Sequence, residues 1–193
     1  MFTTAVGRLV DQFDCCPWGG AVGRTPRSQV TFPRAGQKGQ LYTPEQRARR
    51  DASPWTMVQG VLAPAQFAVF LVSFGLVAWF LLTGEGEAVA TASVVFKTAV
   101  LYLIMVTGSI WERAVFGRYL FAPAFYWEDM VSMLVLALHT AYIAALLSGA
   151  LDTHHLMLLA LAAYSTYLVN AAQFVLKLRM ARREQTVWSG ARA

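Results

Sequence analysis

Four long apolar stretches alternate with short polar ones along the chain. Met57–Leu82 contains no charged residue, Ala88–Trp111 only Lys97, Met130–Leu151 none apart from His139, and Leu156–Leu176 none at all. A helix needs about 20 apolar residues to cross the hydrocarbon core of a bilayer, and each stretch is long enough. Strands are excluded, because the runs are too long and do not alternate strictly. Within lipid a helix satisfies its own backbone polar groups. The pattern predicts an all-α integral membrane protein, a bundle of four transmembrane helices spanning about 57–82, 88–111, 130–151 and 156–176.

The polar intervals predict how the bundle is threaded. Arg47, Arg49 and Arg50 precede the first span, Arg113 and Arg118 follow the second, and Lys177, Arg179, Arg182 and Arg183 follow the fourth. The turns Thr83–Glu87 and Asp152–His155 hold no Lys or Arg. Basic residues stay on the cytoplasmic side, so both termini are expected there. Gly84 and Gly149 end the first and third spans in similar contexts, as glycines commonly do just past a helix.

Composition agrees with this class. Of 193 residues, 56% are hydrophobic and 14% charged, against about 25% charged in soluble domains. The length allows one compact domain and excludes a large multidomain enzyme, a repeat solenoid or a disulfide-rich module. Residues 1–40 read as a disordered basic cytoplasmic tail, with 41–183 as the membrane domain and 184–193 as a C-terminal tail. The net charge of +5 comes largely from the first 50 residues. It suits attraction to a membrane surface. No nucleic-acid partner is expected, because no recognition pattern accompanies the charge. Cys15 and Cys16, adjacent and without a neighbouring histidine, read as free thiols.

Ionisable groups inside the spans are the candidates for function, because their burial is costly. Lys97 sits near the middle of the second span, at an insertion cost of about 2.5–3.5 kcal/mol, and reads as a paired lysine or a contact for an anionic ligand. His139, near the middle of the third, reads as a hydrogen-bonded histidine, an axial metal ligand or a proton relay. His154 and His155 lie in an outer turn and read as solvated. Glu128, Ser132, Val135, His139 and Tyr142 follow helical spacing and share one face. Glu128 and His139 are thus about 16 Å apart along it. Thr166, Asn170, Gln173 and Lys177 form a second stripe, and Gln59, Gln66 and Ser73 a third. Interhelical hydrogen bonds explain such amides, and their clustering in one half suggests a cavity opening to the cytoplasm. The interval Trp111–Asp129 combines Trp111, Phe116, Tyr119, Phe121, Phe125, Tyr126 and Trp127 with Glu112, Arg113, Arg118, Glu128 and Asp129. It reads as an interfacial aromatic belt, as a π-rich wall for a planar ligand, or as both.

Four blocks carry a resemblance: Leu41–Trp55, Val106–Glu112, Phe121–Asp129 and Asn170–Phe174. Over residues 41–178 the chain resembles the 3-vinyl (2-vinyl) bacteriochlorophyllide hydratases; residues 1–40 lie outside the resemblance. It implies a small enzyme of the bacterial inner or intracytoplasmic photosynthetic membrane. Such an enzyme adds water to the 3-vinyl group of a chlorophyllide-type pigment, giving the 3-(1-hydroxyethyl) product. The implied partners are that tetrapyrrole, the lipid bilayer and other pigment-forming enzymes. No cofactor is implied, because magnesium belongs to the substrate.

The resemblance assigns no catalytic residues, so the roles follow from chemistry. Vinyl hydration needs an acid to protonate the terminal carbon and a base for the attacking water. Two carboxyls in different environments can divide those tasks. Glu128 is the first choice for the acid, with Asp129 or Glu112 as the base, although helical geometry turns Glu128 and Asp129 about 100° apart. The same carboxylates also read as ion-pair partners of Arg113 or Arg118. A deep site would use His139, Lys97 and Asn170, with His139 as axial ligand to the substrate magnesium. A shallow site, which we prefer, would use Glu112, Glu128, Asp129 and Gln173, beside Tyr126 and Trp127. Arg113, Arg118, Arg50 or Lys177 would meet the pigment's propionate. Without the resemblance, a pigment carrier and a small proton-coupled transporter would stand level with a hydratase.

Overall fold

A computed structural model describes the backbone of residues 41–190 and the side chains of residues 41–181. The tail of residues 1–40, with Cys15 and Cys16, lies outside the described residues. Among the described residues five helices follow one another: α1 (Pro44–Ala52), α2 (Pro54–Thr83), α3 (Glu87–Phe116), α4 (Tyr126–Ser148) and α5 (Thr153–Gly190). The last four are long and apolar enough to cross a membrane. The 30 residues of α2 and of α3 correspond to about 45 Å at 1.5 Å per residue. That exceeds a hydrocarbon core of about 30 Å, so these helices project beyond it or tilt. The helix α5 runs on to Gly190, through the stretch the sequence assigned to a C-terminal tail.

Local chemistry sets the boundaries. Thr43 and Gln46 cap α1 reciprocally, each side chain accepting from the other's backbone N–H, and Pro44 occupies the first turn. Ser53 is extended between α1 and α2, the conformation that a following proline favours. Pro64 inside α2 removes one backbone donor. Gly84 and Gly149 close α2 and α4 in the left-handed conformation, at φ 76° and 64°, which glycine adopts without strain. Asp152 starts α5 by accepting from the backbone N–H groups of His154 and His155. The His155 ring also bonds its carboxyl and holds it below the ordinary carboxylate range. Both histidines are exposed, as the sequence suggests.

Two antiparallel hairpins result, α2–α3 and α4–α5, packed together chiefly through α2 on α5, with α3 meeting α4 and α5 less extensively. Between them lies a core of Phe70, Val77, Val94, Leu101, Val135, Tyr142, Met157, Tyr164 and Tyr167. Ala90, Ala160 and Ala163 are also buried, small residues of the kind that let membrane helices approach closely. The outward face carries Phe67, Leu71, Phe74, Trp79, Phe96 and Leu168. Apolar residues outside and polar ones inside is the arrangement that lipid demands.

A second apolar cluster closes the end where α2 begins and α5 leaves. Tyr42, Val115, Phe125 and Ala181 are buried there against Leu41, Trp111, Phe116 and Ala124. Trp111, Phe116 and Phe125 meet edge to face at centroid distances of 5.6–5.9 Å. Tyr42 stacks on Phe116, and Phe125 on Phe174. The aromatic interval is therefore divided. Trp111, Phe116 and Phe125 turn inward, while Tyr119, Tyr126 and Trp127 turn outward.

Candidate active site

The stripe on α4 is buried as its spacing predicts: Glu128, Ser132, Val135, His139 and Tyr142 all face the interior, and Asp129 joins them. Two polar centres arise along it, one in mid-bundle and one beside the aromatic cluster.

The mid-bundle centre pairs Lys97 of α3 with His139 of α4. Both residues are 0% exposed. Lys97 Nζ lies 2.9 Å from His139 Nε2, and His139 Nδ1 lies 2.8 Å from the Val135 carbonyl oxygen. With Nδ1–H donating to that carbonyl, Nε2 is left to accept from Lys97. Lys97 Nζ also lies 4.1 Å from the Tyr167 ring centroid and 5.2 Å from that of Tyr164. The Tyr164 hydroxyl continues the chain of contacts to Ser73 at 2.5 Å, and Ser73 meets Ser93 at 2.8 Å. Lys97 is thus the paired lysine of the sequence reading. An axial bond from His139 to a substrate magnesium would require Lys97 to leave Nε2.

The second centre gathers the three carboxyls that the sequence singled out. Glu112 ends α3, and Glu128 and Asp129 begin α4; all are buried, Glu112 to 3% exposure. The intervening loop explains how they meet. Gly117 terminates α3 at φ 80°, and the chain then turns through Phe121, the one described non-glycine residue with positive φ (59°). Phe121 donates its backbone N–H to Asp129 Oδ2 at 2.7 Å, which ties the loop to the first turn of α4. The carboxyl of Asp129 faces that of Glu112, and the Ala122 backbone lies against Glu112 as well. Neither Glu112 oxygen completes a hydrogen bond of ordinary geometry. Glu128 turns the other way, as the 100° step predicts, and Oε1 accepts from Lys177 Nζ of α5 at 3.0 Å. Lys177 Nζ also lies 5.4 Å from the Phe125 ring centroid.

One expectation is corrected. The cation on Glu128 is Lys177, not Arg113 or Arg118: α5 places Lys177 against the start of α4, while both arginines are exposed on the rim. The Arg113 guanidinium instead lies over Tyr119, at 4.5 Å. Tyr126 and Trp127 stack edge to face on the outside of the bundle, with Trp127 66% exposed. The inward aromatic beside the acids is Phe125, whose ring lies within reach of Lys177. Glu128 and Asp129 do share one end of the bundle, but through different partners. Arg50 pairs with its neighbour Asp51 and lies over the Tyr42 ring.

The amide stripes flank the acids. Asn170 of α5 donates to Ser132 Oγ at 2.9 Å, one turn along α4 from Glu128 and Asp129. Gln59 of α2 donates to Thr107 of α3 at 2.8 Å. Gln66 is buried to 1% exposure. The sequence marked it only as part of a stripe. No spacing signal separates it from Gln59.

Residues 42–180 match the family described as 2-vinyl bacteriochlorophyllide hydratase. A curated protein of that name from Cereibacter sphaeroides is 63% identical over 155 residues, covering 80% of this chain and 95% of the relative. Another of the same name, from Rhodobacter capsulatus, is 59% identical over 150 residues, covering 78% of this chain and 87% of the relative. No solved structure matches the chain. The four apolar helices, the buried acids between them and this continuous similarity over the membrane domain agree: the chain belongs to the 2-vinyl bacteriochlorophyllide hydratase family.

Proposed function

We propose that this hydratase works in a shallow site beside the aromatic cluster, with the facing carboxyls of Glu112 and Asp129 as its acid and base. The "2-vinyl" of the family name and the 3-vinyl of the sequence reading are one ring substituent under two numberings. One carboxyl, in its acid form, gives a proton to the terminal vinyl carbon. The cation then rests on the inner carbon, where the macrocycle delocalises it. Water adds to that carbon and loses its proton to the other carboxylate. The net change is one water gained and a 3-(1-hydroxyethyl) group formed, with the proton inventory of the pair restored.

The burial of all three acids at one end of the bundle, two of them face to face, carries this reading. Carbon is a poor base, so its protonation benefits from an acid held away from water. Glu128, first choice in the sequence, is engaged by Lys177. We assign it to holding that lysine toward the pigment, whose propionate would meet Lys177, Arg113 or Arg118. The engagement of both His139 ring nitrogens favours the shallow site over the deep one. In this scheme the protein contributes no metal of its own, and the magnesium arrives with the substrate. We place the basic end of the bundle, with both termini, on the cytoplasmic side of the bacterial inner membrane. There other pigment-forming enzymes would supply the substrate and take the product.

Membranes expressing the chain, incubated with chlorophyllide a, test the scheme. The expected product is heavier by one water, with its red absorption band at shorter wavelength as vinyl conjugation is lost. Glu112→Gln and Asp129→Asn should each lower turnover by about 10²–10⁴, the usual worth of a positioned acid or base, while the vinyl pigment still binds. Full turnover in either variant would remove that residue from the reaction.

A further inference from the structure

The stripe Gln59, Gln66, Ser73 on α2 contains an anomaly. Gln59 bonds Thr107, and Ser73 bonds both Tyr164 and Ser93. Gln66, midway between them, is more deeply buried than Gln59, yet neither its Nε2 nor its Oε1 has a hydrogen-bond partner among the described residues. A buried amide left wholly unpaired is costly, so an amide that only joined helices would be expected to find a partner as its two stripe neighbours do.

Its surroundings are of one kind. The helices α2 and α5 are antiparallel, with Ser73 against Tyr164 and Phe70 against Tyr167. One further turn places Gln66 level with Asn170. Asn170 gives its amide hydrogen to Ser132 but keeps a buried, unpartnered Oδ1, and Gln173, a turn nearer the acids, keeps an unpartnered Oε1. Unpaired amide atoms thus come from both hairpins at one level of the bundle, with Asn170 next to Ser132, one turn from the first turn of α4.

The chemistry of the free atoms selects their ligand. A carbonyl on the pigment rim would satisfy only the NH₂ group, and a cation only the oxygen. A group that both donates and accepts satisfies the whole amide. The vinyl substituent does neither, whereas water and the hydroxyl that water becomes do both. We infer that Gln66, with Asn170 beside it, binds the water that adds to the vinyl group and then the hydroxyl of the product. This inference rests on the hydratase reading above and adds to it a site for the second reactant. A residue that holds the new hydroxyl favours the product over any pigment of the same shape without it.

Pigment binding in detergent, followed by absorption titration, tests this without relying on a variant. The native protein should bind the 3-(1-hydroxyethyl) pigment at least about tenfold tighter than its 3-ethyl analogue, the scale of one hydrogen bond to a buried group. Gln66→Met, similar in length but unable to donate, should erase the preference, leave the affinity for the ethyl and vinyl pigments unchanged, and slow hydration. Equal native affinity for the two pigments overturns the inference, and so does a preference that survives in Gln66→Met. Hydration by native membranes is run in parallel. If the native chain fails to hydrate the vinyl pigment, the underlying reading fails. If it hydrates the pigment but shows no hydroxyl preference, only the assignment of Gln66 fails.

Discussion

Lys97 Nζ rests on an imidazole and two phenol rings, with no carboxylate partner among the described residues. A lysine in the middle of a span advertises itself in any sequence, as does a histidine in the next. That the two meet does not follow from their positions, since 42 residues separate them. We assign the pair to structure: it joins the two hairpins at the depth where lipid is driest. Lys97→Met would leave His139 Nε2 buried and unsatisfied, at a cost of about 1–3 kcal/mol. Replacing both partners, as Lys97→Met with His139→Leu, should cost less than the single change, because no orphan remains. Thermal unfolding in detergent of the native, single and double forms measures this. A double variant less stable than the single would show that the pair does more than satisfy itself.

At the scale of elements, the loop between α3 and α4 controls the acids. Its glycine stop and its proline are visible in the sequence, and so is its aromatic richness. The turn at Phe121 is not, because a phenylalanine gives no warning of positive φ. Tertiary contacts hold that conformation, at an ordinary cost of about 1–3 kcal/mol, and the reward is a backbone N–H aimed at Asp129. Phe121→Gly keeps both the N–H and the freedom to adopt the turn. It should retain hydration within a few-fold. Phe121→Pro removes the donor and forces φ to about −65°, and should lower turnover by more than about tenfold. The ratio of turnover in the two variants is the measurement. Equal activity would show that the loop does not position Asp129.

At the scale of the whole molecule, the threading is set by where charge is tolerated. Glu85, Glu87 and Asp152 lie at the turns of the two hairpins, and the described arginines, with Lys177, lie at the other end. With Cys15 and Cys16 replaced by serine, Glu85→Cys should react with a membrane-impermeant thiol reagent in intact cells, whereas Arg118→Cys should react only after lysis. The opposite pattern would invert the bundle and place the proposed site on the far side of the membrane. The hairpins themselves, the four helices and their glycine stops were legible because lipid punishes every unpaired backbone group and every charge. The partners of the acids were not legible, because nothing in a linear spacing distinguishes Lys177 from Arg113 as the cation nearest Glu128.

Hydrophobic run length, helical period and the side of each basic residue are local quantities. From them alone the chain declares a four-helix membrane bundle, the inward face of α4, and the small set of acids, amides and cations from which a site must be built. Which of these meet is a matter of helix rotation, tilt and loop geometry, settled only when the hairpins pack. Packing brought Glu112 to Asp129, turned Tyr126 and Trp127 to the outside, engaged both nitrogens of His139, and left Gln66 without a partner among the described residues. The physical reason is one of range: the cost of leaving water is felt residue by residue along the chain, whereas hydrogen bonds and ion pairs act over a few ångströms between segments that the sequence holds far apart.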